Sequence, residues 1–457
     1  MLFKKIITAF VRQTDTNDGI DIRFGRYSDA HKTLEKYDSW ARSTGFFEQK
    51  NYLQAYLEFF NYLLDDDESN LSYDTVQINE KGNLTDFKID FTLQQGSKIV
   101  RGFANSEEFV GEVKLVKVKD NLHVALGRRL MEMNYNLLYS GFSLDENGVI
   151  WIRFTTNTVD SFAGKLYNGL REIATRSDAQ DDLLLNEFTN QLESIDDKHI
   201  EFLSEDHQQV KLRFLKKWIK ETLEEVKKLN AEHLASAISY MLLTLLYRID
   251  YLLTPEGTIT AMLEDIHKVV FYDQNRLPVQ RNAYAIKEFE KIAALSDEEL
   301  LPNFYETKST FGIAKPAYEK EIKEIIEKQL QAAAWFDKNE QQEFTPFVFE
   351  YIAGYCLFNY GLPRPTKEFL HLYFQIVYAD FFKALGAKHT FSDTENEKSE
   401  KEIILNKSLI TKRIDFILET WEEMYPNLTK KNLKISYKDF TKFSFDYFSF
   451  VKELKMS

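Results

Sequence analysis

Between residues 109 and 175 the spacing of apolar residues changes period repeatedly, and few folds accommodate that order. Residues 109–119 alternate, with Val110, Val113, Val116 and Val118 apolar, as in a half-buried strand. Residues 122–139 have helical spacing, with Leu122, Leu126, Met133, Leu137 and Leu138 mostly on one side. Residues 141–154 form two short arms around Asp145-Glu146-Asn147-Gly148, an acidic turn ending in glycine. Over 160–175, Phe162, Leu166, Leu170 and Ile173 recur at steps of four, four and three, an apolar stripe fit to lie on a sheet. Strand, helix, hairpin, helix predicts an α+β sandwich.

The preceding segment extends the pattern. Two helices are expected over 33–42 and 46–64, broken near Gly45, with Tyr52, Tyr56, Phe59, Phe60 and Leu63 on one face of the second. The pair resembles a single tetratricopeptide-type hairpin, but no second copy follows at that period, so ordinary helix packing is the reading. Residues 65–68 are four consecutive acids without the alternation, central Gly and terminal Glu of a calcium loop, and read as a solvated loop. Strands are expected over 73–79, 84–93, 98–104 and 109–119, joined by turns at Glu80-Lys81-Gly82-Asn83 and Gln94-Gln95-Gly96-Ser97. A polar stretch over 176–182 then leads into a further helix through Ile195. Nearer the start, Ile20-Asp21-Ile22-Arg23-Phe24 reads as an edge strand followed by a turn at Gly25.

Proline marks a change of architecture: all eight prolines fall at or after Pro255. Every convincing strand precedes that point, and helices are expected over 208–229, 234–253, 258–270, 280–294, 297–303, 316–336, 343–361, 366–385, 400–424 and 437–454. Residues 391–402 are polar and read as a flexible loop. The expected fold class is therefore an α+β N-terminal domain in the order α-β-β-β-β-α-β-β-α, followed by an all-α domain. Its divisions are an arm and short helix over 1–45, the α+β domain over 46–200 and the helical domain over 205–457.

Composition excludes several classes of function. A net charge of −14 repels nucleic-acid phosphates, so no nucleic-acid partner is expected. Cys356 is the single cysteine, which excludes an intramolecular disulfide and points to a reducing, cytoplasmic setting; it lies in the apolar run 347–362 and reads as a small buried hydrophobe. The most apolar long run, 234–253, holds Arg248 and Asp250, which argues against a bilayer span and for a buried helix. Residues 1–13, with Lys4, Lys5 and Arg12 and no acid, are too short in their apolar part for a signal peptide, and are the one segment from which membrane contact would be expected.

Motifs that carry chemistry are absent from the text. The eight histidines form no His-x-x-x-His or His-Glu-x-x-His pair, and there is no nucleophile elbow, phosphate loop or dinucleotide fingerprint. No catalytic residue, metal or cofactor is assigned. Candidate binding residues are Glu350, a carboxylate inside an apolar run; Tyr355; Arg364, held between Pro363 and Pro365; and His371. All four lie in one helix–turn–helix stretch. Phe443, Phe445 and Tyr447 in the aromatic-rich end, 437–454, form a second candidate group, either as a helix packed on its own domain or as a partner-binding surface.

The element order over 46–195 resembles the class I type III secretion chaperone-like fold and the related bacterial sensory-transduction-regulator family. The local text carrying the likeness is Leu130-Met131-Glu132-Met133-Asn134 through Asn136-Leu137-Leu138, then Gly141 to Gly148 and Val149-Ile150-Trp151-Ile152-Arg153-Phe154. It covers about a third of the chain, and the 250 or so helical residues beyond it have no counterpart in such single-domain chains. The resemblance implies a non-enzymatic domain that binds protein segments or dimerises through the sheet and central helix.

The expectation drawn from these readings is a non-catalytic protein-binding adaptor or chaperone-like protein, with a protein partner and a homodimer as one form of it. The alternative is an enzyme of unrecognised type, with its site in the helical domain or in a cleft between domains.

Overall fold

The computed structural model describes residues 19–64, 71–74, 87–120, 122–195, 200–395, 402–428 and 435–455. The chain divides into two compact units. One takes Lys32–Glu201 together with Glu306–Ile313; the other takes the residues up to His31, Phe202–Tyr305 and those from Ala314 onward. The first is an antiparallel sheet with helices, the second is largely helical, as the sequence predicts. Of the arm and short helix expected over 1–45, the described residues up to His31 thus go with the helical unit and those from Lys32 with the sheet, which also takes eight residues from far downstream.

In the sheet unit, α1 (Leu34–Glu48) and α2 (Tyr52–Leu63) form a hairpin. The expected break near Gly45 does not occur: α1 runs through Gly45, and the turn is made at Lys50 with φ +59°. Strands β1 (Leu71–Asp74), β2 (Lys88–Gly96), β3 (Lys98–Asn105) and β4 (Glu108–Val118) follow, then α3 (Val124–Tyr135), β5 (Ser140–Leu144), β6 (Val149–Asn157), α4 (Ala163–Glu187) and β7 (Leu192–Ser194). The expected turn at Glu80–Asn83, the acids 65–68 and the segment 1–13 lie outside the described residues. Instead of two helices over 160–195 there is one 25-residue helix and then a strand. Its polar stretch does not end it, since no Pro or Gly interrupts 176–187.

The sheet runs β1-β2-β3-β4-β6-β5, with β7 paired to the far end of β4 and β8 (Lys308–Ser309) paired to Gln95 and Gly96 of β2. All its pairings are antiparallel. Alternation puts Ile89, Phe91 and Leu93 of β2 and Ile150, Ile152 and Phe154 of β6 on the buried face. There Phe91 packs 5.1 Å from Phe60 of α2 and 5.3 Å from Phe109 of β4. Gly102 and Gly111 stand opposite each other on β3 and β4 and make room for Phe91; a Cβ on Gly102 would lie 2.5 Å from that ring. The other face carries polar pairs such as Arg153–Glu112 at 2.8 Å.

The helical unit contains α5 (Glu205–Val226), α6 (Ala235–Arg248) continuing into a π-helical turn Ile249–Leu253, α7 (Gly257–His267) with a second π turn Lys268–Tyr272, and α8 (Pro278–Ala294). After these come α9 (Glu319–Lys338), α10 (Thr345–Asn359), α11 (Arg364–Val377), α12 (Ala379–Ala384), α13 (Lys407–Trp421) and α14 (Phe440–Lys452). α6 is the buried helix its apolar run predicts, and α10 is apolar on all sides, as a central helix must be. The segment expected as an edge strand at 20–24 joins no sheet; Ile20, Ile22 and Phe24 enter the helical core from an extended chain. Nor is 391–402 simply a loop. Ser392–Glu395 pairs antiparallel with Glu402–Leu405, and Ser392 is anchored by its hydroxyl donating to the Ile376 carbonyl at 2.6 Å. Among the described residues no helix is long and apolar enough to cross a membrane.

Candidate functional site

Of the sequence-named residues in the helical unit, two grip the same turn. Glu350 of α10 accepts from Arg248 of α6 through both oxygens, 2.8 Å from Nε and 3.1 Å from Nη2, with both side chains under a tenth exposed. The guanidinium also lies 4.6 Å from the Tyr378 ring centre and 5.4 Å from that of Trp218. Burial disfavours its charge, but Glu350, with Tyr378 and Glu221 adding, more than offsets this and the Arg248 pKa is raised. Three residues on, in the π turn, the Tyr251 hydroxyl meets His371 Nδ1 of α11 at 3.0 Å.

His371 is 7% exposed, and burial, with Arg413 and Lys367 adding, pushes its pKa down to about 3. Tyr251 stays a phenol because burial raises its pKa. Both groups are therefore neutral and share one hydrogen bond at Nδ1, while Nε2 of His371 is buried without a hydrogen-bond partner. Between these pairs, Asp250 takes Arg26 at 2.6 Å, and Arg26 also reaches Glu264 at 2.7 Å.

The other named residues do not join this cluster. Arg364 begins α11 with its guanidinium 5.7 Å from the Trp421 ring centre. Tyr355 is half-buried and stacks 5.3 Å from Tyr351, with Tyr360 at 5.9 Å; burial and then its bond to Tyr360 raise its pKa. Phe443 and Tyr447 are fully buried on α14, where Tyr447 donates to the Phe369 carbonyl at 2.7 Å. Phe445 is partly buried, 4.9 Å from Phe349. Cys356 is fully buried and its thiol is pushed up to about 12 by burial. Among the described residues no group of three or more His, Cys, Asp or Glu side chains could hold a metal ion. The arrangement is a set of buried ion and hydrogen-bonded pairs whose charges face each other, and it fixes the packing of α6, α10 and α11.

A helix with a second, exposed apolar face lies on the sheet unit. Helix α3 is apolar on two faces. Leu126, Leu130 and Met133 are buried against the unit's core. On the opposite side Val124, Met131 and Tyr135 are 68%, 73% and 91% exposed, and Leu138 and Tyr139, just beyond the helix, are exposed too. The stripe expected from the sequence mixed these faces, since Leu122 and Leu138 are outward.

Side-chain hydrogen bonds pin the connection from α3 to β5. The Glu172 carboxylate of α4 accepts from the backbone nitrogens of Leu138, Tyr139 and Ser140 at 2.8, 2.8 and 2.9 Å, and from the Ser140 hydroxyl at 2.8 Å. Asn134, at the end of α3, accepts from Phe142 N at 2.6 Å and donates to Phe142 O at 3.2 Å. β5 is the edge strand on this side among the described residues, so the two side chains take up the backbone nitrogen of Ser140 and both backbone groups of Phe142. Strand addition is thereby blocked at Phe142. Asn134 belongs to the sequence text that carries the resemblance and Glu172 does not, and neither role can be read locally, since the partners lie eight and more than thirty residues away.

No protein-family model, curated protein or solved structure matches this chain.

Proposed function

We propose that the chain is a non-catalytic protein-binding adaptor of chaperone-like type, and that its docking surface is the outward face of α3 with Leu138 and Tyr139. The observation that carries this reading is the second apolar face of α3, with its connection to β5 pinned by Glu172. Isolated exposed apolar residues are ordinary on protein surfaces, but a contiguous group marks contact sites. Rigid presentation lowers the ordering cost of binding. Burying Met131, Tyr135 and Leu138 against a partner would contribute on the order of 1.5–3 kcal/mol each at most. The resemblance of the element order to secretion chaperones agrees with this reading.

A second copy of the chain is one partner the stripe fits. Val124, Gly127, Met131 and Tyr135 are spaced three, four and four along α3. In an antiparallel pairing about a two-fold at Met131, Tyr135 faces Gly127 of the other copy, a large ring against a residue without a side chain. Arg128 and Glu132, both exposed, then lie about two residues apart along the axis across the pair.

The test is a photo-crosslinking residue placed at Tyr135, with a control at exposed Trp335 of the helical unit. The reading expects a discrete product from position 135 and none from 335. A product at twice the chain mass identifies the second copy, and another mass identifies a different protein. Equal, diffuse labelling from both positions contradicts it.

A further inference from the structure

On the outer side of β2, β1 covers Asp90–Leu93, and the end of β2 beyond it holds an extended segment that has come from far along the chain. Lys308 and Ser309 pair with Gly96 and Gln95. The Gln95 side chain then acts as a clamp. Its Oε1 accepts from the backbone nitrogens of Thr310 at 3.2 Å and Phe311 at 2.9 Å, and its Nε2 donates to the Phe311 carbonyl at 3.1 Å. Gln95 is 3% exposed, so a buried amide is turned wholly toward a main chain. The Thr310 hydroxyl donates to Gln94 O at 2.8 Å, and Arg171 Nη2 to Gly312 O at 2.9 Å. Phe311 is 1% exposed, part of the sheet unit's core, with its ring 5.3 Å from that of Tyr167.

Main-chain hydrogen bonds along an edge, one deep apolar anchor and an amide that reads backbone are the means by which proteins hold extended peptides. We propose that this groove is a peptide-binding site filled in cis by Glu306–Ile313, and that it accepts a partner's extended segment with the same pattern: two small hydroxyl residues, then Phe, then Gly. Small hydroxyls fit because Thr310 lies buried with its Oγ1 on Gln94 O, and Ser309 Oγ accepts from Gly96 N at 3.4 Å. Gly fits because Gly312 is buried beneath Arg171, with its carbonyl taken by the guanidinium. The tethered segment has an effective concentration in the millimolar range, so a free peptide enters only when the cis anchor is weakened or the peptide is in large excess. The site lies on a different edge from the α3 surface, and its test does not depend on that surface.

The experiment uses the full chain and a fluorescent peptide with the sequence of residues 306–313. The wild type is expected to bind it at least tenfold more weakly than F311A, whose groove has lost its own anchor. Q95L in the F311A background is expected to abolish that binding, and a peptide with Ser in place of Phe is expected not to bind F311A. Peptide binding that is equal in the wild type, F311A and the double variant overturns the proposal, as does no binding to any of them. Should F311A fail to fold, hydrogen exchange on the wild type decides. Excess peptide should speed exchange at the amides of Thr310 and Phe311, and the Ser-substituted peptide should not. Unchanged exchange with both peptides overturns the proposal.

Discussion

The side-chain amide of Asn134 imitates a neighbouring strand: it accepts from the backbone nitrogen of Phe142 and donates to its carbonyl, at 2.6 and 3.2 Å. An edge strand treated in this way is closed to further pairing at that residue. Replacing Asn134 by Ala leaves both groups of Phe142 without their partner. The expected cost is about 1–2 kcal/mol of stability. Association that grows with concentration is also expected, read by melting and by light scattering. A variant that is as stable and as monodisperse as the wild type contradicts the edge-capping role.

Glu172→Ala removes four hydrogen bonds from the connection between α3 and β5. Hydrogen exchange at Leu138, Tyr139 and Ser140 is expected to rise by at least tenfold while the sheet interior stays protected. Partner binding should weaken with it, because the loosened segment must be reordered. Unchanged exchange at those three amides would mean that the carboxylate does not hold them.

The Arg248–Glu350 pair is expected to show the asymmetry of buried charges. Arg248→Met or Glu350→Leu alone should destabilise by roughly 3–5 kcal/mol, since each leaves a buried charge without its partner. The double replacement should recover most of that loss. Denaturant unfolding of the four proteins measures the coupling, and simple additivity would contradict it.

His371 and His267 are both held neutral. Burial pushes them to about 3 and about 4, against an ordinary value near 6.5, with nearby arginines adding. Their folded pKa values are depressed, so protons bind the unfolded chain first. Stability is full above pH 6.5 and falls as pH drops toward 4, by about 1.4 kcal/mol per pH unit for each histidine. His371→Gln should flatten that slope by one proton's worth between pH 6 and 4.5. An unchanged slope means that His371 takes up its proton in the folded state.

Periodicity made the sheet unit legible: β4, α3, the hairpin and the start of α4 all follow from local spacing and the Asp145–Gly148 turn. In that turn Asp145 accepts from Asn147 N and Val149 N, both at 2.9 Å, and Gly148 has φ +77°. What could not be read is what distant residues do to one another. Arg248 and Asp250 were visible as charges in an apolar run, and they argue rightly against a membrane span. Their carboxylate and guanidinium partners, Glu350 and Arg26, lie 102 and 224 residues away.

Spacing also gave α3 one apolar stripe, because a helical wheel does not say which apolar residues meet the core. Leu138 fell on the wrong side because the helix stops at Tyr135. Nothing local marks Glu306–Ile313 as part of the sheet, since it pairs through only two residues and is held otherwise by Gln95.

The most direct test of the docking surface is an affinity pull-down from native cell extract with quantitative mass spectrometry and a parallel light-scattering mass. It compares the wild type with Met131→Glu/Tyr135→Glu, after melting shows equal stability of the two. The account predicts a stoichiometric partner, or a second copy of the chain, with the wild type, and its loss from the double variant. Retention of the same partner by the variant, or a bare monomer without partner in both, would contradict it.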